Sequence, residues 1–136
     1  MKQQPTSNDK ILVLNFSSSE LNDSSKIQIR KELRVREVVE IHLPVNFKLS
    51  RPLPPQVAEV IKTADQLARS AGFEDGLLSR KLVIPPGFAD AAFIMGAWMA
   101  YGNIGFTSPI QTIRFNTGWT SMYFEPQQYL NGEPRR

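Results

Sequence analysis

The sequence predicts an α/β fold: a mainly parallel sheet flanked by helices, with an antiparallel hairpin near its C-terminal end. Two observations carry this. Aliphatic or β-branched runs alternate with helix-length segments in the order β-α-β-α-β-α-β-β, which is the pattern of strands joined by helical crossovers. The last two runs are separated only by Thr117 and Gly118, enough for a tight turn and too little for a helix. A length of 136 residues predicts one domain, taken as residues 10–124 between a disordered lead-in (1–9) and a tail (125–136).

The elements follow in order. "KILVLNFSSS" (Lys10 to Ser19) is continuous and aliphatic up to Leu14, then turns polar, as a buried strand opening into a loop does. Asn22 to Arg36 predicts a helix with a weak apolar stripe, its Asp23 and its terminal Arg and Lys residues complementing the macrodipole. Val38 to Phe47 is a second strand. Arg51 to Gly72 is the clearest helix: Val57, Val60, Ile61, Ala64, Leu67 and Ala68 share one face, Pro55 sits in the first turn and Gly72 closes it. "KLVIPPG" from Lys81 is a third strand and Phe88 to Tyr101 a third helix. Pro109 to Asn116 and Trp119 to Glu125 complete the set, the latter antiparallel.

Composition narrows the function classes. Hydrophobic residues make up 41% and charged residues 21%, as in ordinary globular domains. The chain has no cysteine, so disulfides, thiolate metal sites and cysteine nucleophiles are excluded, which suits a reducing cytoplasm. One histidine and no clustered acids leave no metal-ligand set, and no cofactor is expected. No apolar run approaches the roughly 20 residues a bilayer-spanning helix needs, and the polar start "MKQQPTSNDK" does not read as a secretory signal. The net charge of +3 hints at anionic partners without identifying one, and no long nucleic acid is expected.

Right-handed crossovers put every β-to-α corner at one edge of a parallel sheet, where ligands of such folds bind. That edge gathers Asn15, Phe16, Ser17, Ser18, Pro44, Asn46, Phe47, Pro85, Pro86 and Gly87. "NFSSS" offers one amide and three hydroxyls, suited either to an anion or to capping the next helix, with Ser17 placed three residues before Glu20. Neither GxGxxG, nor GxxxxGK[ST], nor GxSxG is present, so dinucleotide, P-loop and serine-hydrolase signatures are missing. Lys48 and Arg51 flank the second corner and suit phosphate or a solvated loop. Phe16, Phe47 and Phe88 each follow a strand end, where an aromatic either stacks on a base or plugs a helix top. His42 sits in mid-strand, where hydrogen-bonded packing is the expected role. In "PPG", Gly87 leaves the backbone open to close approach. The third helix is apolar on nearly every side, which predicts burial against a second copy in a homodimer, with further assembly open.

Together "ILVLNFSSSEL", "VVEIHLPVNF", "PLPPQVAEVI", "LVIPPGFADAA" and "YGNIGFTSPI" resemble the small single-domain accessory proteins of type III CRISPR systems, related in fold to CARF domains. The resemblance runs from about Lys10 to Phe124 and is carried by the ordered set rather than by any single motif. It implies a Rossmann-like protein that recognises a cyclic oligoadenylate, above all cyclic tetra-adenylate. Such proteins lower the concentration of this second messenger, by sequestering it as sponges or by cleaving it as ring nucleases. Where the family often carries His-Gly followed by Arg, this chain has Tyr101, Gly102 and Asn103, which removes one possible acid–base residue. Three functions stay in view. A non-catalytic binder is preferred, because no general base stands at a strand end. A metal-independent ring nuclease, with catalytic residues unknown, and a protein-interaction module docking through the third helix are the alternatives.

Overall fold

A computed structural model describes residues 9–97, 111–115, 120–124, 129–130 and 133–134. Thr117-Gly118, Tyr101 and its neighbours, and the end of the third helix lie outside the described residues. The chain runs β1 (Lys10–Asn15), α1 (Asp23–Leu33), β2 (Glu37–His42), α2 (Leu53–Ser70), a 3-10 turn (Gly76–Leu78), β3 (Lys81–Ile84), α3 (Ala89–Ala97), β4 (Gln111–Arg114) and β5 (Thr120–Phe124). A two-strand ladder, β6 (Tyr129–Leu130) with β7 (Glu133–Pro134), follows. These two short strands lie within the segment taken as the tail.

The five-stranded sheet has the order β2-β1-β3-β5-β4. β1 is parallel to both β2 and β3, whereas β5 is antiparallel to β3 and to β4. The fold is thus α/β with a mixed sheet around a parallel core, and the antiparallel fifth strand inserts between β3 and β4. Asn15 pairs with His42 on one side and with Ile84 on the other, so the three parallel strands end level. β2 and β3 flank β1 on opposite sides. The chain direction reverses there, leaving a crevice above the strand ends.

Two helix ends show why the boundaries fall where they do. After Ser70 the backbone of Gly72 turns to φ 102, and Phe73 N–H reaches Ala68 O at 3.0 Å while Gly72 N–H reaches Arg69 O at 3.1 Å. This six-to-one and five-to-two pair closes α2 and lands Phe73 in the core, with Lys10 Nζ 4.6 Å from its ring centre. α1 is shorter than its predicted span: Arg34 takes the left-handed conformation and Val35 N–H returns to Arg30 O at 3.1 Å. The chain then re-enters the sheet as β2. That strand stops at His42 rather than Phe47, because β1 has no backbone beyond Asn15 to pair with; a single bond, Leu43 N–H to Asn15 O at 2.9 Å, continues the ladder.

Each face of the sheet has its own core. Leu12, Leu14 and Val83 pack with Val57, Ile61, Ala64 and Ala68 of α2 and Met95 of α3. Ile11, Val13, Leu82 and Ile84 pack with Ile29 of α1, Ile113 and Tyr123 on the other face. β1 is therefore apolar on both sides, as its unbroken aliphatic run requires. Lys81, the first residue of β3, is fully buried and donates from Nζ to Leu77 O at 2.7 Å. Loss of hydration pushes its ammonium from the usual 10.5 down to about 6. In α3, Ala91 and Met95 are buried while Ala89 and Asp90 face solvent, so the helix has at least one wet side. No helix among the described residues is long and apolar enough to cross a membrane.

Candidate functional site

Three corners leave the level strand ends of β1, β2 and β3, and together they enclose a cleft of about 390 Å³. Phe16 and Ser18 contribute from the first corner, Pro44, Val45, Asn46, Phe47 and Leu49 from the second, and Pro86, Gly87 and Phe88 from the third. The volume falls within the roughly 300–1,000 Å³ typical of small-molecule pockets, towards the low end. Eight of the thirteen residues placed at this edge on sequence grounds therefore meet in one space. Val45 and Leu49 were missed, and Leu49, 75% exposed, had a detectable signal as a lone leucine in a polar loop.

The first corner divides its residues between two tasks. Asn15, 1% exposed, is turned inward. Its Oδ1 accepts from Ser17 N–H at 3.0 Å and from Ser17 Oγ at 2.6 Å, and its Nδ2 donates to Ser19 O at 2.8 Å and to Glu40 Oε2 at 2.7 Å. Glu40 also accepts from Leu21 N–H at 3.0 Å. His42, two residues on along β2, donates from Nε2 to Ser17 O at 2.9 Å, while its Nδ1 lies 3.9 Å from a Glu20 oxygen. The loop is thus stitched down by alternate residues of the neighbouring strand. Asn15 and Ser17 hold the shape of the loop and lie outside the lining of the cleft. Ser17 does not cap α1 either; Asn22 does, accepting from Ser25 N–H at 2.7 Å. His42 makes the hydrogen bond expected of it, but as the last residue of β2 and not in mid-strand, because pairing with β1 ends at Asn15.

Asn15→Ala would remove one partner from each of Ser17, Ser19 and Glu40 at once, although Glu40 keeps Leu21 N–H and Ser17 Oγ keeps Ser19 O. Unpaired buried groups cost about 1–3 kcal/mol each, more when charged, and part is recovered by solvent. We expect the variant to lose roughly 3 kcal/mol in urea unfolding. A loss below about 0.5 kcal/mol, the scale of a neutral surface change, would show that the network carries little.

The aromatics also divide. Phe16, 2% exposed, is a core residue that floors the cleft, its N–H held by Ile84 O at 2.9 Å. Phe47 and Phe88 are half-buried and form the walls. Pro86 is buried beneath the third corner, and Pro85 stands outside the cleft lining. A Cβ built on Gly87 meets nothing within 4 Å, so the space over this residue is open.

Charge stays outside the cleft. Lys48 and Arg51 are exposed beside it and do not line it. Gln56 fixes their loop: its Oε1 accepts from Lys48 N–H at 2.8 Å, and its Nε2 donates to Lys48 O at 2.9 Å and Pro52 O at 3.0 Å. Helices α1 and α3 each carry an acid in the first turn, Asp23 and Asp90, which competes with any anion there. Helix α2 carries none, although Pro54 and Pro55 remove two of its amide donors. An anion at this edge is therefore best met by the Lys48 and Arg51 side chains. No cluster of metal-ligating side chains occurs among the described residues.

Comparison with family models, with curated proteins and with solved structures gave no match. The functional conclusion rests on the site.

Proposed function

We propose that this protein binds a cyclic oligoadenylate, cyclic tetra-adenylate above all, at the cleft over the β1–β3 strand ends. It holds the ring intact and so damps type III CRISPR second-messenger signalling in the cytoplasm. The observation that carries this is the cleft itself: apolar and aromatic walls for a base, an open glycine backbone, and two cations just outside for phosphate. Stacking on aromatic walls contributes about 1–3 kcal/mol per base. One chain's cleft is sized for a part of the ring. A symmetric homodimer would present it twice to a ligand that is itself symmetric.

Sequestration is favoured over ring cleavage because none of the described residues lining the cleft carries an acid or a base. Ring opening by a ribose 2′-hydroxyl would still need charge developing on phosphate to be stabilised, and Lys48 and Arg51 are the groups placed to do so. We expect the purified protein to retard labelled cyclic tetra-adenylate on a native gel at micromolar concentration, and chromatography of the bound material to return the intact ring. Linear products would make the protein a ring nuclease. The absence of any retardation would remove the nucleotide function and favour a protein-interaction module.

A further inference from the structure

Four neighbouring polar residues at this edge differ in what occupies them. Asn15 and Ser17 are buried and hydrogen-bonded within the fold. Ser18 and Asn46 line the cleft, and neither takes part in a hydrogen bond among the described residues. Every other described residue of the cleft is a phenylalanine, proline, valine, leucine or glycine. Among the described residues the pocket thus offers a flat ligand apolar faces, one amide and one hydroxyl.

We propose that Asn46 is the specificity-determining residue of the cleft and selects adenine over guanine; this rests on the nucleotide function proposed above. A carboxamide presents one donor beside one acceptor. Adenine matches that pair on two edges, N6–H with N7 and N6–H with N1. Guanine matches it as O6 with N1–H or as N2–H with N3, and either way leaves further polar groups, the N2 amino group or O6 and N1–H, against apolar walls. With Ser18 the only other polar side chain among the described residues lining the space, guanine buries more polar groups than these can pair, and unpaired groups oppose binding. The same counting suits the absence of a cation among the described lining residues: a lysine or arginine there would favour guanine O6 and N7.

The test compares adenosine and guanosine 5′-monophosphates and cyclic tetra-adenylate by calorimetry on the full chain and on Asn46→Ala and Asn46→Asp. Both variants are expected to fold as the parent does, because Asn46 is exposed and makes no internal bond. The parent should prefer adenosine monophosphate over guanosine monophosphate by about tenfold or more, and Asn46→Ala should lose most of that margin. Asn46→Asp, now an acceptor only, should weaken adenine binding and pair with guanine N1–H and N2–H, reversing the preference. Equal binding of the two nucleotides by the parent, or undiminished preference in Asn46→Ala, overturns the role of Asn46 while leaving ring binding in place. Failure of the parent to bind cyclic tetra-adenylate overturns both proposals.

Discussion

Raising the pH from about 7 to about 9 should stabilise this protein by roughly 3 kcal/mol, and Lys81→Met should abolish that rise. The cause is the burial of Lys81 at the start of β3, which holds its folded-state value near 6 against 10.5 in the unfolded chain. Between those values the unfolded state keeps a proton that the folded state has released, so stability climbs with pH. The contribution is complete above 10.5 and is lost as pH falls towards 6, below which both states are protonated and the dependence ends. The slope is about 1.4 kcal/mol per pH unit for one proton. Methionine fills similar volume without a charge and leaves Leu77 O without this donor, at a cost that does not vary with pH. Urea unfolding across this range reads the slope directly. Parallel curves for parent and variant would mean that Lys81 stays protonated when folded.

Gly87→Val should leave the unfolding midpoint within about 1 kcal/mol of the parent and reduce cyclic tetra-adenylate binding at least about tenfold. Gly87 does not have a left-handed backbone, and the volume a side chain would enter is empty, so folding has no reason to suffer. Gly87 itself lines the cleft, with Pro86 and Phe88. A branched side chain there would stand where a base or phosphate must approach the backbone. Calorimetry with urea unfolding on the same preparation separates the two effects. Full affinity in the valine variant would make the Pro-Pro-Gly corner a bend and nothing more.

The legible parts of this fold are those whose signal is local. Helix α2 declared itself through prolines at its entry, a glycine at its exit and an apolar face, of which the structure buries Val57, Ile61, Ala64 and Ala68 and half-buries Val60 while leaving Leu67 exposed. The unbroken aliphatic run of β1 announced a strand covered on both sides, and the level ends of β1, β2 and β3 follow from parallel pairing. The end of β2 was not legible. Val45 and Phe47 continue the apolar alternation of a strand, yet pairing stops at His42 because the partner strand has run out.

The site shows the same division. That polar and aromatic residues would gather at one edge followed from element order. Which of them turn inward did not, because "NFSSS" and "PVNF" contain interchangeable chemistry. Asn15 is consumed by Glu40, 25 residues away, whereas Asn46 has no such neighbour among the described residues and is left to the cleft. Lys81 is the extreme case: a lysine before "LVI" looks like a strand's solvated edge, and only its place between β1 and β5 with the 3-10 turn beside it makes it a buried amine. Periodicity and turn chemistry act over a few residues, so the chain carries them openly and they decide the elements and their order. Burial and hydrogen-bond partnership depend on groups brought together from distant positions, so the division of this edge into scaffold and cleft exists only once the sheet has formed.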